Sequence, residues 1–283
     1  MNETLSAKRP ADMTLAGPAP FITLRRFRLH GRRALWRARQ SRKGLLRHPD
    51  QTEVPFWHRP AYNWWIGLLF SVGSLHFIGA AVLSMVPTSL TLWQIGLVFF
   101  LGSIFFTTAG FLQNLQAANA PDFSPAPPAP VKAGELHLIG WRPSNLGWLS
   151  TITQFAGTVM FNFNTFDAIV PPPDWYIADL TIWLPGMIGS VLFLISGSLA
   201  FMEISHAYWS WKPKDLDWQI AFANLLGCIF FMTAGILAYI PRGPEPGWIA
   251  TVANLHLCLG ALGFLTGALL MMRESKQTAT MTA

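Results

Sequence analysis

Charge is the scarcest commodity in this chain. Asp, Glu, Lys and Arg together make up 12% of its 283 residues, against roughly a quarter in soluble domains. A soluble fold with an ordinary charged surface is therefore excluded, and the 52% hydrophobic content points to a membrane protein. Cysteine is nearly absent: Cys228 and Cys258 are the only two, too few for a disulfide scaffold. Reaction signatures are missing as well. The sequence holds no phosphate loop, zinc-protease His pair, Gly-x-Ser-x-Gly elbow or Cys-x-x-Cys, so no enzyme, catalytic residue, metal site or cofactor is expected.

Apolar runs fill the space those absences leave. Uncharged stretches long enough for a ~30 Å hydrocarbon core occur near 62–86, 92–115, 145–166, 180–202, 218–240 and 248–272. They predict an all-α polytopic membrane protein with six transmembrane helices. The first run starts after a long basic segment and is too long and wrongly flanked for a cleaved signal, so it is expected to be retained.

The net charge of +6 is not a nucleic-acid signal, because thirteen of the twenty Lys and Arg residues precede residue 60. Most of the others fall between the second and third spans, between the fourth and fifth, or after the sixth. The positive-inside bias places both termini in the cytoplasm. No nucleic-acid partner is expected; anionic lipid headgroups are, and a homo-oligomer is compatible.

One skeleton recurs three times: Trp64, Gly73, Pro87; Trp148, Gly157, Pro171; Trp218, Gly227, Pro241. Trp141-Arg-Pro-Ser-Asn-Leu-Gly-Trp148 and Trp211-Lys-Pro-Lys-Asp-Leu-Asp-Trp218 are near-copies. The chain thus divides into repeats at 57–116, 141–206 and 207–273. Each is an in-to-out helix, a turn and an out-to-in helix, giving three parallel helical hairpins. Around them lie a disordered tail at 1–20, a basic cytoplasmic segment at 21–56, a Pro-rich linker at 117–140 and a cytoplasmic tail at 274–283. Within the basic segment a helix over 21–47 would set Phe21, Leu24, Phe27 and Leu35 on one stripe. Such a helix could lie on anionic lipid through Arg26, Arg28, Arg32, Arg33 and Arg37.

Gly102-Ser103 with Phe106, and Gly189-Ser190 with Phe193, make a Gly-Ser-x-x-Phe pattern. With the flanking Trp residues this resembles the YrhK-like family of small bacterial membrane proteins. The resemblance covers 57–272 as three tandem units. It implies a two-helix membrane fold and an inner-membrane location, and supplies no functional residue.

The repeat also serves as a control on polar residues within the spans, which are costly and by default functional. Cys228 takes the place of Ser74 and Thr158, and Cys258, counted from its Trp, that of Ser103, so both read as small packing residues. Gln154 and Asn224 occupy equivalent places where the first unit has Phe70, and would form a polar constriction if they face the axis. His76 and His256 lie at one depth on different helices; the alternative reading has them hold a b-type haem. Glu203 and His206, one turn apart, could relay a proton. These residues predict passage or sensing of a small solute or ion. A structural or regulatory anchor with a lipid- or partner-binding tail is the alternative.

Overall fold

Among the described residues six long helices carry the structure, and four of them begin at a recognisable start signal. The computed structural model describes residues 13–29, 31–45, 54–124, 136–243 and 246–281. Helix α2 (Pro60–Met85) starts on a proline, whose missing N–H costs nothing in a first turn. Helix α3 (Leu92–Ala118) opens with a Thr91/Gln94 capping box. Asn145 caps α4 (Leu146–Asp167) and Asp215 caps α7 (Leu216–Leu237), the same position in the two near-copied segments. A short α5 (Trp175–Ala178) runs through a π-helical turn, Asp179–Trp183, into α6 (Leu184–Ser205). Helix α8 spans Gly247–Met281. Each span drawn from the sequence falls mostly on one of these helices.

The six close into a ring. Helix α2 packs on α3, α3 on α4, α4 on α6, α6 on α7, α7 on α8, and α8 returns to α2. Within each hairpin the backbones approach at paired glycines. A Cβ on Gly73 would lie 3.0 Å from the Gly102 carbonyl oxygen, one on Gly157 3.1 Å from that of Gly189, and one on Gly227 2.9 Å from that of Gly260. Where apolar side chains gain nothing by leaving lipid, such close packing is what joins helices.

Four residues after each of these glycines stands a phenylalanine: Phe77, Phe106, Phe161, Phe193, Phe231 and Phe264. All six are buried in one cluster. The residue after each glycine is small and buried too: Ser74, Ser103, Thr158, Ser190, Cys228 and Ala261. Every long helix thus carries Gly-small-x-x-Phe, with the glycine at the helix contact and the ring inward. This register keeps Cys228 in a packing slot but corrects the position of Cys258. Ala261, not Cys258, matches Ser103, because Gly260 and not the distant Trp248 sets the contact; Cys258 is partly exposed.

By length and composition five helical stretches can cross a membrane: Pro60–Met85, Leu92–Ala118, Trp175–Ser205, Leu216–Leu237 and Gly247–Thr280. Helix α4 is not among them. Its Ser, Thr, Asn and Gln residues lower its hydropathy, yet many of these side chains bond to neighbouring helices. Ser150 Oγ donates to the Ser196 carbonyl at 3.0 Å, Ser196 Oγ to the Ser150 carbonyl at 2.7 Å, and Thr165 Oγ1 to Ser103 Oγ at 3.0 Å. Thr107 Oγ1 donates to Asn162 Oδ1 at 3.1 Å.

The N-terminal region differs from the expectation. Instead of an interfacial helix over 21–47 there is an antiparallel sheet, β1 (Thr14–Ala16), β2 (Leu24–Leu29) and β3 (Arg32–Arg37), followed by a short α1 (Ala38–Arg42). The fold is thus mostly helical rather than all-α, and part of the tail drawn at 1–20 is a strand. Gly31, at φ +78°, makes the turn that a helix could not accommodate. Strand alternation then replaces the helical stripe: Phe27 and Trp36 share one face, where both rings pack edge-on against Phe123 at 5.4 Å. Of the tail drawn at 274–283, residues 274–281 continue α8. Of the Pro-rich linker, 125–135 lie outside the described residues.

Candidate functional site: a divided ring interior and its plug

The phenylalanine cluster blocks the ring axis. Rings touch within hairpins, Phe77–Phe106 at 5.4 Å, Phe161–Phe193 at 5.0 Å and Phe231–Phe264 at 5.1 Å between centroids. They also touch between hairpins, Phe77–Phe231 at 5.7 Å, Phe106–Phe264 at 5.8 Å and Phe193–Phe264 at 5.7 Å. These are edge-on or tilted contacts with few gaps.

A cavity lies on each side. Toward the end that carries the sheet, Phe193 and Phe264 floor a cavity of about 80 Å³, room for a few waters. Its wall includes Gln154 and Asn224, together with Phe70, their equivalent in the first hairpin, and Gln113 from α3. The structure thus brings Gln154, Asn224 and Glu203 to one space. Gln113 Oε1 and Glu203 Oε1 are buried there without a hydrogen-bond partner, as is Arg42 Nε, a pattern that marks a site for water or a ligand. Toward the opposite end, Phe161 and Phe231 border a more apolar cavity of about 310 Å³, with Asn164 and Asn254 in its wall.

Helix α1 closes the polar cavity with three cations from one segment, Arg39, Arg42 and Lys43, all buried. Together they meet acids on three helices of the ring, Arg39 and Lys43 sharing Glu274. Arg39 donates to Asp217 at 2.5 Å and to both oxygens of Glu274 at 2.5 and 3.2 Å. Lys43 also bonds to Glu274, and Arg42 Nη2 donates to Glu203 at 2.6 Å. Gly147 leaves space for that last pair: a Cβ there would lie 2.5 Å from both Arg42 Nε and Glu203 Oε1. Burial pushes the Lys43 ammonium down to about 8 and neighbouring Arg39 adds to this, against the pull of Glu274. Burial opposes the Arg39 charge as well, but Glu274 and Asp217 outweigh it and raise that pKa.

Glu203 and His206 do not form a pair. Glu203 turns inward to Arg42, whereas His206, left-handed at φ 55° past the end of α6, lies with Nδ1 3.0 Å from Thr23 Oγ1. Chain reversal after Ser205 separates the two side chains. Nor does the structure join His76 to His256. The His76 ring lies beside Phe105 and donates through Nδ1 to the Val72 carbonyl; His256 lies beside Phe230 and donates to that of Val252. Neither lines a described cavity, and among the described residues no group of three His, Cys, Asp or Glu could hold a metal.

Burial, together with Lys212, Arg37 and Arg26, pushes His206 down to about 4 from 6.5, with Asp215 opposing. Below 6.5 the unfolded chain binds the proton more readily than the folded one. Stability is therefore expected to fall as pH drops from 6.5 to 4. His206→Asn, which tolerates the left-handed backbone, should flatten that part of the unfolding-midpoint profile; an unaltered slope would remove His206 from the account.

Of the five basic residues assigned to lipid, Arg26, Arg28, Arg33 and Arg37 lie on one face of the hairpin and Arg32 on the other. The plug residues Arg39, Arg42 and Lys43 were not singled out from the sequence. A signal was present, in that Glu203, Asp217 and Glu274 are acids toward the same end of three helices. Comparison with family models, curated proteins and solved structures finds no match to this chain.

Proposed function

We propose that the chain is a non-enzymatic integral membrane protein that admits a small solute or ion into a gated helical ring, for passage or sensing. Six helices cross the membrane as three parallel hairpin repeats, with both termini and the sheet in the cytoplasm of a bacterial inner membrane. The YrhK-like resemblance, resting on the Gly-Ser-x-x-Phe residues, agrees with that arrangement. The six Gly-small-x-x-Phe elements support the repeat. The zipped polar side chains of α4 support its crossing despite low hydropathy, since their hydrogen bonds are made inside the ring.

The observation that carries the function is the divided interior. A packed apolar axis would suffice for an anchor. Here the rings interrupt two cavities, one polar with unpartnered oxygens and the other apolar and more open. The phenylalanines act as the gate, Gln113, Gln154 and Asn224 as the polar vestibule, and α1 as its cytoplasmic stopper.

Liposome flux tests this. Phe231→Ala with Phe264→Ala should raise passage of small ions or urea-sized solutes by about tenfold or more, a barrier reduction of about 1.4 kcal/mol. Gln154→Leu with Asn224→Leu should lower the flux of that widened form. If the properly inserted double Phe variant passes nothing above protein-free liposomes, passage through the ring is wrong and the anchor reading stands.

A further inference from the structure

A second polar cavity lies outside the ring, between the hairpin and the α6–α7 connection. Its floor is the β2–β3 face that carries Leu24 and Leu35, and it encloses about 130 Å³. Arg26 comes from β2, Arg37 from β3 and Lys212 from the connection. Segments far apart in the chain thus bring like charges to one space.

The acids in the wall already have partners, Asp217 in Arg39 and Gln40 of the same wall and Asp215 at the start of α7. Asp217 accepts from Arg39 at 2.5 Å and Gln40 at 3.4 Å, and Asp215 caps α7 by accepting from the Asp217 N–H at 3.0 Å. Among the described residues Arg26 and Arg37 have no carboxylate within ion-pair distance, and the contact Lys212 makes is a long one, 3.5 Å, to the Ser205 carbonyl. His206 also borders the space and is held neutral by its surroundings.

Three like charges around a void repel one another, and an anion between them reverses that term. Two guanidiniums favour planar, multidentate oxygen acceptors, and an ammonium adds a point charge, which together suit phosphate better than a monovalent halide. We propose that this cleft binds a phosphate-bearing anion through Arg26, Arg37 and Lys212. The phosphate belongs either to an anionic lipid headgroup or to a soluble compound. The site does not depend on solute passage through the ring. It does adjoin the stopper, since Arg37 leads directly into α1 and Gln40 of α1 holds Asp217.

The full-length protein in uncharged detergent micelles provides the test, with the thermal unfolding midpoint followed against inorganic phosphate, short-chain phosphatidylglycerol and short-chain phosphatidylcholine. A saturable rise with phosphate alone identifies a soluble ligand, and one with phosphatidylglycerol alone identifies a headgroup. Arg37→Gln and Lys212→Gln should each weaken the apparent affinity by about tenfold, while Arg32→Gln, on the opposite hairpin face, should not. The His206 imidazole resonance should titrate at higher pH once the anion is bound, a readout that lost stability does not mimic. No saturable rise with any of the three probes, or a rise unchanged in variants that keep the unliganded midpoint, overturns the proposal.

Discussion

Glu274→Ala should lower unfolding stability by about 3–5 kcal/mol, the range for removing one partner of a buried ion pair. Glu274 accepts from Arg39 through both oxygens and also from Lys43, and all three side chains are at most 9% exposed. Its loss leaves Lys43 beside Arg39 with only the more distant Asp217 as counter-charge in place of a directly bonded carboxylate. Arg39 keeps Asp217, whose side chain is 16% exposed, so Asp217→Ala should cost less. The pair Asp122 and Arg142 is the control: at 3.4 Å with Asp122 92% exposed, Asp122→Ala should cost about 1 kcal/mol or less. Replacing Glu274 and Lys43 together by Leu should be milder than Glu274→Ala alone, because the pair is removed without leaving its cation. Chemical denaturation in micelles measures all four. A Glu274→Ala cost as small as that of Asp122→Ala would mean that α1 is not seated in the ring mouth. If the seat is as described, the variant should also expose the polar vestibule and increase flux in the Phe231→Ala, Phe264→Ala form.

This ion network shows which part of the molecule was hidden in the sequence. Helices, their ends and the small residues between them depend on spacing within about ten residues, and the Trp, Gly and Pro skeleton displays that spacing three times. Gln154, Asn224 and Phe70 could be matched because equivalent residues occupy equivalent places in the ring. Arg42 and Glu203 are different, being 161 residues apart, and no local pattern records their meeting. The stopper could be inferred only by setting a basic segment against the acids that lie toward one end of three helices. The hairpin was hidden for another reason. Leu24, Phe27 and Leu35 fit a helical stripe, whereas the strands put Leu24 and Leu35 on one face and Phe27 on the other, and Gly31 was the residue that pointed to a turn.

The sixth helix shows how a misplaced register misleads. Counting from Trp248 treats an interfacial side chain, free to shift along a membrane boundary, as a fixed point. Gly260 is fixed, because the Gly227 carbonyl oxygen would lie 3.0 Å from any Cβ placed there. Steric constraint, rather than amphipathic preference, is what defines equivalence between these hairpins. The same constraint separates His76 from the phenylalanine cluster: it neighbours Phe77 in sequence but turns to Phe105, outside the cavities. Depth alone therefore did not make it a partner for His256.

Gly227→Ala should cost about 1–3 kcal/mol or more through overpacking, although alanine is intrinsically the better helix former. Its Cβ would stand 2.8 Å from the Phe264 ring and 2.9 Å from the Gly260 carbonyl oxygen. The ring could turn aside only by disturbing the cluster, and the oxygen belongs to the backbone, so the two helices must separate. Gly73→Ala and Gly157→Ala present the same conflict at the other two hairpins. Because Phe264 touches both Phe106 and Phe193, the three costs are coupled and do not simply add, and the triple variant is expected to lose the closed ring even where its helices persist. Gly79→Ala reverses the sign. Nothing lies within 4 Å of its added methyl, so helix propensity alone should make it neutral or stabilising by about 0.5–1 kcal/mol. Thermal unfolding in micelles distinguishes the two classes, and circular dichroism reports whether helix content survives in the triple variant. Equal effects at Gly79 and Gly227 would mean that hairpin packing does not depend on these glycines, and the sixfold Gly-small-x-x-Phe element would lose its physical basis.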